Sequence, residues 1–165
     1  MSRLATLLLR IRRAPAAIAG IAAPTTTVGE ITPCNGRWSA RGAKRLNLVL
    51  PSINRQHYFG GIHTAVLAYR ELSRHFEESR ILLVDSAPDA EALSRFVDHE
   101  LVPADEDSAA PRQIVPFNDR YNKTLPVAEG DYWLATAWWT AYAAQRLARW
   151  QAEHGAPERP IAYLI

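Results

Sequence analysis

Five short runs of this 165-residue chain are almost continuously apolar, and between them the apolar residues switch to helical spacing. The runs are "LNLVL" within 46–53, "RILLVDS" at 80–86, "QIVPF" at 113–117, "DYWLATAW" at 131–138 and "IAYLI" at 161–165. A half-exposed strand alternates apolar and polar residues, whereas a strand covered on both faces reads as an unbroken apolar run. After the first run, Ile62, Ala65, Val66, Tyr69, Leu72 and Phe76 recur at helical spacing. After the second, Ser86 with Asp89 and Pro88 marks a helix start, and Ala90, Leu93, Phe96 and Val97 give that helix its apolar face. After the fourth, Thr140 can cap a helix, Ala143, Leu147 and Trp150 face inward, and Gly155 with Pro157 stops it. The segment 103–111 reads as a solvated loop and 118–130 as a long irregular connection. The order β-α-β-α-β-loop-β-α-β predicts an α/β fold, a Rossmann-like parallel sheet with helices on both faces.

This length suits one domain, and apolar residues at 48% suffice for a core. The single cysteine, Cys34, rules out an internal disulfide and a cysteine-only metal site. Charge is uneven. Residues 1–45 carry eight basic side chains and one acidic, whereas 46–165 carry eleven basic and sixteen acidic. The body is therefore mildly acidic and shows no nucleic-acid footprint. In the basic stretch at 1–23, Arg10, Arg12 and Arg13 interrupt the apolar residues, which excludes a span of about 20 uncharged residues. Charges inside the apolar part also break the order of a secretory signal. Leu4, Leu7, Leu8 and Ile11 share one helical face, so this stretch reads either as a basic amphipathic helix for peripheral membrane contact or as a poorly ordered extension. The reading takes 1–43 as extension and linker and 44–165 as the domain. Because the sequence stops inside an apolar run, at Ile165, it is expected to be the N-terminal piece of a longer protein.

In open parallel sheets ligands bind beyond the carboxyl ends of the strands. That rule gathers the loops at 52–61, 85–86, 118–120 and 138–140. Gly60 and Gly61 stand just before a helix, where unpaired N–H groups and the helix dipole favour an anion and the absence of Cβ lets a ligand approach. A plain tight turn fits them equally. His63 could donate to a phosphate or act as a base, or simply be an exposed helix histidine. Arg120 and Lys123 could reach a phosphate or stay solvated. Asp85 could hold a ribose hydroxyl or serve helix entry. Trp138 and Trp139 could stack on a sugar ring, or one could belong to the core. The dinucleotide G-x-G-x-x-G and the P-loop pattern are absent, as are H-E-x-x-H, clustered Cys/His and G-x-S-x-G. No metal is expected.

Two stretches, "LNLVLPSINRQHYFGGIHTAVLAYREL" and "ATAWWTAYAA", resemble the N-terminal domain of WsaF-type rhamnosyltransferases. These are GT-B glycosyltransferases grouped with the large retaining family four, and the resemblance spans roughly 44–165. It implies the N-terminal half of a two-domain enzyme whose absent C-terminal domain binds most of a nucleotide-sugar, here dTDP-L-rhamnose, with no other cofactor. Gly60, Gly61 and His63 would then lie on the donor phosphate side. Asn54, Tyr58, Asn118, Arg120, Thr136, Trp138, Trp139 and Thr140 would lie on the acceptor side, facing a cell-surface glycan. Catalytic residues are expected in the absent half, so the 165 residues alone should not turn over. The expected location is cytoplasmic, with peripheral contact at the inner membrane face, because nucleotide-sugars are made there. Two other classes stay open: a non-catalytic glycan- or protein-binding module using the tryptophan edge, and a nucleotide-dependent oxidoreductase resting on Asp85.

Overall fold

A computed structural model describes residues 34–164. The amphipathic reading of 1–23 lies outside them. Six strands form one all-parallel sheet in the order β4-β5-β3-β2-β7-β8. Its centre is β2 (Arg45–Leu50), flanked by β3 (Glu78–Leu83) and β7 (Asp131–Ala135). Beyond β3 lie β5 (Arg112–Pro116) and the two-residue β4 (Glu100–Leu101); beyond β7 lies β8 (Ala162–Tyr163). Helix α1 (Gly60–Leu72) links β2 to β3, the short α2 (Ala90–Ser94) follows β3, and α3 (Trp138–Glu153) links β7 to β8.

The apolar runs do what their composition requires. All six residues of β2 are buried, and successive side chains serve opposite faces. Leu48 and Leu50 join Ile81, Leu83 and Ile114 beneath Ala65, Val66 and Tyr69 of α1. Val49 joins Leu82, Val115 and Ala135 beneath Ala143, Ala144 and Leu147 of α3. The sheet is thus covered on both sides, as the sequence predicts.

The amino ends of the central strands carry a buried polar network instead. Arg45, Glu78 and Asp131, the first residues of β2, β3 and β7, sit abreast in register. The fully buried Asp131 carboxylate accepts from Arg45 Nε at 2.6 Å and Nη2 at 2.9 Å, from Asn47 Nδ2 at 3.0 Å and from the Ala128 N–H at 2.8 Å. Arg80 Nε donates to Asn47 Oδ1 at 2.7 Å. Burial alone would raise the Asp131 carboxyl; the hydrogen bonds and charge of Arg45, with help from Arg80 and Asn47, outweigh it and hold the group below the usual carboxylate range. Burial, then the neighbouring Arg45, pushes the Arg80 guanidinium down to about 9, which leaves it cationic at neutral pH.

Several expectations change. The stretch read as linker contributes β1 (Asn35–Trp38), and the connection read as irregular contributes β6 (Thr124–Val127); the two pair in parallel as a separate ribbon. Its anchor is the carbonyl of Pro126, which accepts from Arg45 at 3.3 Å and Arg80 at 3.1 Å. Neither strand shows a period of two, and Pro126 argues against a strand on sequence alone. The cap of α2 is Asp89, whose Oδ1 accepts from the Ala92 N–H at 2.7 Å, rather than Ser86. That helix is only five residues long, so Val97 falls beyond it and is 88% exposed. The last apolar run yields only β8, an exposed edge strand rather than a buried one. Helix α3 ends as expected just before Gly155, whose φ is +101°.

Asp131→Asn should cost about 3–5 kcal/mol in chemical denaturation, because it leaves buried arginine charge short of its counter-ion. The carboxyl's folded pKa is depressed, so its contribution is complete above the unfolded value of about 3.9 and is lost as pH falls through the lower folded value. The variant's stability should therefore fall less than the parent's between about pH 5 and pH 2.

Candidate functional site

Strand β3 lies on one side of β2 and β7 on the other, so the chain reverses its direction of travel across the sheet at β2 and β7. Loops at the carboxyl ends of such a pair diverge and leave a crevice. A cleft of ≈ 670 Å³ opens there. Its first wall is the loop after β2, with Ser52, His57 and Phe59 leading into Gly60 and Gly61. Its second is Asp85 and Ser86 after β3, and its third is Thr136, Ala137 and Trp139 after β7.

Gly60 starts α1 with φ +49°, a left-handed conformation that only glycine adopts without strain. A Cβ on Gly60 or Gly61 would meet no atom within 4 Å, so no part of the described protein fills the space beside them. The preceding residue, Phe59, gives no side-chain cap, and α1 has no acidic residue in its first turn. The positive end of the helix dipole therefore lies at the cleft wall, with the Ile62 N–H already donating to the Phe59 carbonyl at 3.2 Å. Across it, the Ser86 and Thr136 hydroxyl oxygens are buried with no hydrogen-bond partner among the described residues. Buried polar atoms are normally paired, so a ligand bearing hydroxyls or phosphate oxygens suits this wall.

The loops are held by their own contacts. The N–H groups of Asp85 and Ser86 donate to the Pro51 carbonyl at 3.0 and 3.3 Å. The Trp139 indole N–H donates to Asp85 Oδ2 at 3.0 Å, and the buried Arg120 guanidinium lies 3.8 Å from Asp85 Oδ1. Thr140 Oγ1 accepts from the N–H groups of Thr136 and Ala137 at 3.1 and 3.0 Å and donates to the Ala137 carbonyl at 2.8 Å.

The residues singled out from the sequence thus divide. Gly60, Gly61, Thr136 and Trp139 face one another across the cleft. Trp138 does not line it, because successive helix residues point about 100° apart; it is 51% exposed, and its ring meets Trp139 edge-on at 5.4 Å and Tyr142 at 6.1 Å. Thr140 is fully buried as the helix-start residue described above, so it offers no acceptor contact. Asn54 staples two loops, donating to the Ala87 carbonyl at 3.0 Å and accepting from the Asp89 N–H at 2.9 Å. Tyr58 lies under the Arg95 guanidinium at 4.6 Å and meets the His63 ring edge-on at 5.7 Å, which takes both outside the cleft walls. Asn118 is exposed on the loop after β5, also outside the walls. Arg120 does not line the cleft and reaches it through Asp85. Ser52, His57 and Phe59 line the cleft without having been singled out, and Ser86, read from the sequence as a helix start, lines it too; their sequence signal for the cleft is membership of loops at the carboxyl edge. Among the described residues no group of three or more His, Cys, Asp or Glu is placed to hold a metal, and no helix is long and apolar enough to cross a membrane.

The sequence profile described as "WsaF, N-terminal domain" matches residues 45–165. The chain belongs to the WsaF N-terminal domain family. Membership makes this a glycosyltransferase-type domain, and the matched region begins at the first residue of β2 and takes in every wall of the cleft. No curated protein matches the chain.

Asp85→Ala should release the Trp139 indole. Its N–H resonance should move upfield and exchange with solvent about tenfold faster, the factor for about 1.4 kcal/mol, the low end for a hydrogen bond to a charged group. An unchanged exchange rate would mean the bond does not hold the ring.

Proposed function

We propose that this domain is the acceptor-binding half of a GT-B rhamnosyltransferase that moves L-rhamnose from dTDP-L-rhamnose onto a cell-envelope glycan. The observation that carries the reading is the cleft itself, with two residues lacking Cβ at a helix start on one side and an indole fixed by a carboxylate on the other. Glycosyl transfer builds positive charge on the sugar and negative charge on the departing diphosphate. Preorganised dipoles aimed at the growing charge lower that barrier. The start of α1 supplies such dipoles for the diphosphate, and Gly60 and Gly61 keep them bare. Trp139 offers an apolar face to a sugar ring, while the Ser86 and Thr136 hydroxyls await hydroxyl partners.

In this reading a second α/β domain supplies the opposite bank of the cleft and the groups that recognise the nucleotide. The nucleotide-sugar is the donor substrate, and no metal or further cofactor takes part. The enzyme works in the cytoplasm, with 1–23 available for contact with the inner membrane face. One observation favours binding without turnover: Trp138, Tyr142 and Tyr163 form an exposed aromatic shelf beside the cleft, suited to a glycan chain or a protein. The nicotinamide reading loses its support, because both Asp85 oxygens are directed at protein partners.

Transfer from labelled dTDP-L-rhamnose to a polyrhamnan or lipid-linked glycan acceptor tests the proposal in the complete enzyme. Gly61→Val should lower kcat/KM about 100-fold or more, some 2.7 kcal/mol of transition-state stabilisation. Its circular dichroism and Tm should stay near the parent's, since the added side chain meets only open space. Full activity in a folded Gly61→Val enzyme would refute the proposal. Residues 1–165 alone should give no transfer.

A further inference from the structure

A second concavity, of ≈ 370 Å³, lies toward the other end of α1. Gly60 and Arg70 are ten residues apart, which sets their backbones about 15 Å apart along the helix. Four guanidinium groups line it: Arg70 in the last turn of α1, Arg74 just beyond it, Arg95 after α2 and Arg112 at the start of β5. The region 46–165 is acidic, with sixteen acidic side chains against eleven basic, yet four of the eleven gather here. The only carboxylate in the lining is Asp98. Burial lowers the pKa of the adjacent His99 despite the Asp98 carboxylate, so it adds no charge at neutral pH.

Fold maintenance accounts for only part of this charge. A helix end attracts about half a unit of positive charge, which one cation in the last turn supplies. Arg70 donates to the Arg95 carbonyl at 3.0 Å and lies over the Phe96 ring at 5.2 Å; Arg95 donates to the Ile53 carbonyl at 2.5 Å, packs on Tyr58 and lies 3.9 Å from Glu91; Arg74 donates to Glu71 at 3.0 Å, and Arg112 pairs with Asp98. Each guanidinium has five N–H donors, so these bonds leave most of them unspent. Arg74 and Arg112 also remain 68% and 48% exposed at their side chains. Guanidinium forks match the oxygens of a phosphate group, and several lining one concavity suit its multiple charge.

We propose that this pocket binds a phosphate group, either a free phosphate ester or the headgroup of an anionic phospholipid. The site stands apart from the cleft, and its occupancy does not depend on the glycosyltransferase reading.

The test uses the ¹⁵N-labelled 165-residue chain titrated with inorganic phosphate, with chloride matching the ionic strength. Backbone resonances of 70–74 and 95–99 should shift and saturate. Arg74→Gln and Arg112→Gln should each weaken the binding about tenfold, the effect of one charge-assisted hydrogen bond, while Arg149→Gln on α3 should not. A parallel arm sediments the chain with vesicles of phosphatidylglycerol or of phosphatidylcholine. Capture by phosphatidylglycerol alone, lost in Arg74→Gln and Arg112→Gln, identifies a headgroup site; saturable phosphate shifts without capture identify a soluble ester. Neither shift nor capture, or binding that ignores Arg74→Gln and Arg112→Gln, overturns the proposal.

Discussion

The fold depends on one buried carboxylate. Asp131 is wholly inaccessible and joins strands far apart in sequence: bidentate Arg45 and Asn47 from β2, and Arg80 from β3 both through Asn47 and as an ion pair at 3.9 Å. Its second oxygen also takes the Ala128 N–H, closing the turn that precedes β7. A buried ion pair is not inherently more stabilising than apolar packing of equal volume, because desolvation consumes most of the Coulombic gain. Its effect here is on register. Sliding β7 by one residue would put the carboxylate on the opposite face of the sheet and strand two arginines in the interior. The central strands are thus pinned at their amino ends, and the Pro126 carbonyl extends the same network to the β1–β6 ribbon. Gln151 of α3 reinforces it, donating to the carbonyls of Ala128, Glu129 and Asp131 while its Oε1 accepts from the Trp133 indole.

Pinning one end of a parallel sheet leaves the other end free for function. At the carboxyl ends the strands give way to loops that bond one another through single contacts, such as Asp85 with Trp139 and Asn54 with Asp89. These contacts shape a cleft without filling it. Glycines at the start of α1 keep one wall at backbone level, and an indole stiffens the other. In the proposed function such a half-site accepts a polar substrate while a second domain closes over it.

The apolar runs and the double glycine make the sheet and the cleft legible in the sequence, since both follow from burial on two faces and from topology. The polar network was not legible. "RLNLVL" reads as an apolar strand with two polar interruptions, and nothing local tells Arg45 and Asn47 that Asp131, more than eighty residues away, will meet them. The β1–β6 ribbon is hidden for the same reason, being held by arginines from the main sheet and by Leu125 and Val127 packed beneath α3, with no strand period of its own. Of the candidate residues, Gly60 and Gly61, placed by backbone alone, line the cleft, whereas Asn54, Tyr58, His63 and Thr140 do not, because polar side chains near a cleft are often consumed in holding its loops, and sequence spacing does not show which way a side chain turns.

The most direct test of the central claim is a resonance map of the complete, isotopically labelled enzyme as dTDP-L-rhamnose and then acceptor glycan are added. The account predicts that the Gly60 and Gly61 amides respond to the donor and the Trp139 indole N–H to the acceptor, with the network around Asp131 unmoved. Saturating ligand that leaves all three cleft signals in place, or that perturbs only residues remote from the carboxyl edge of the sheet, would contradict it.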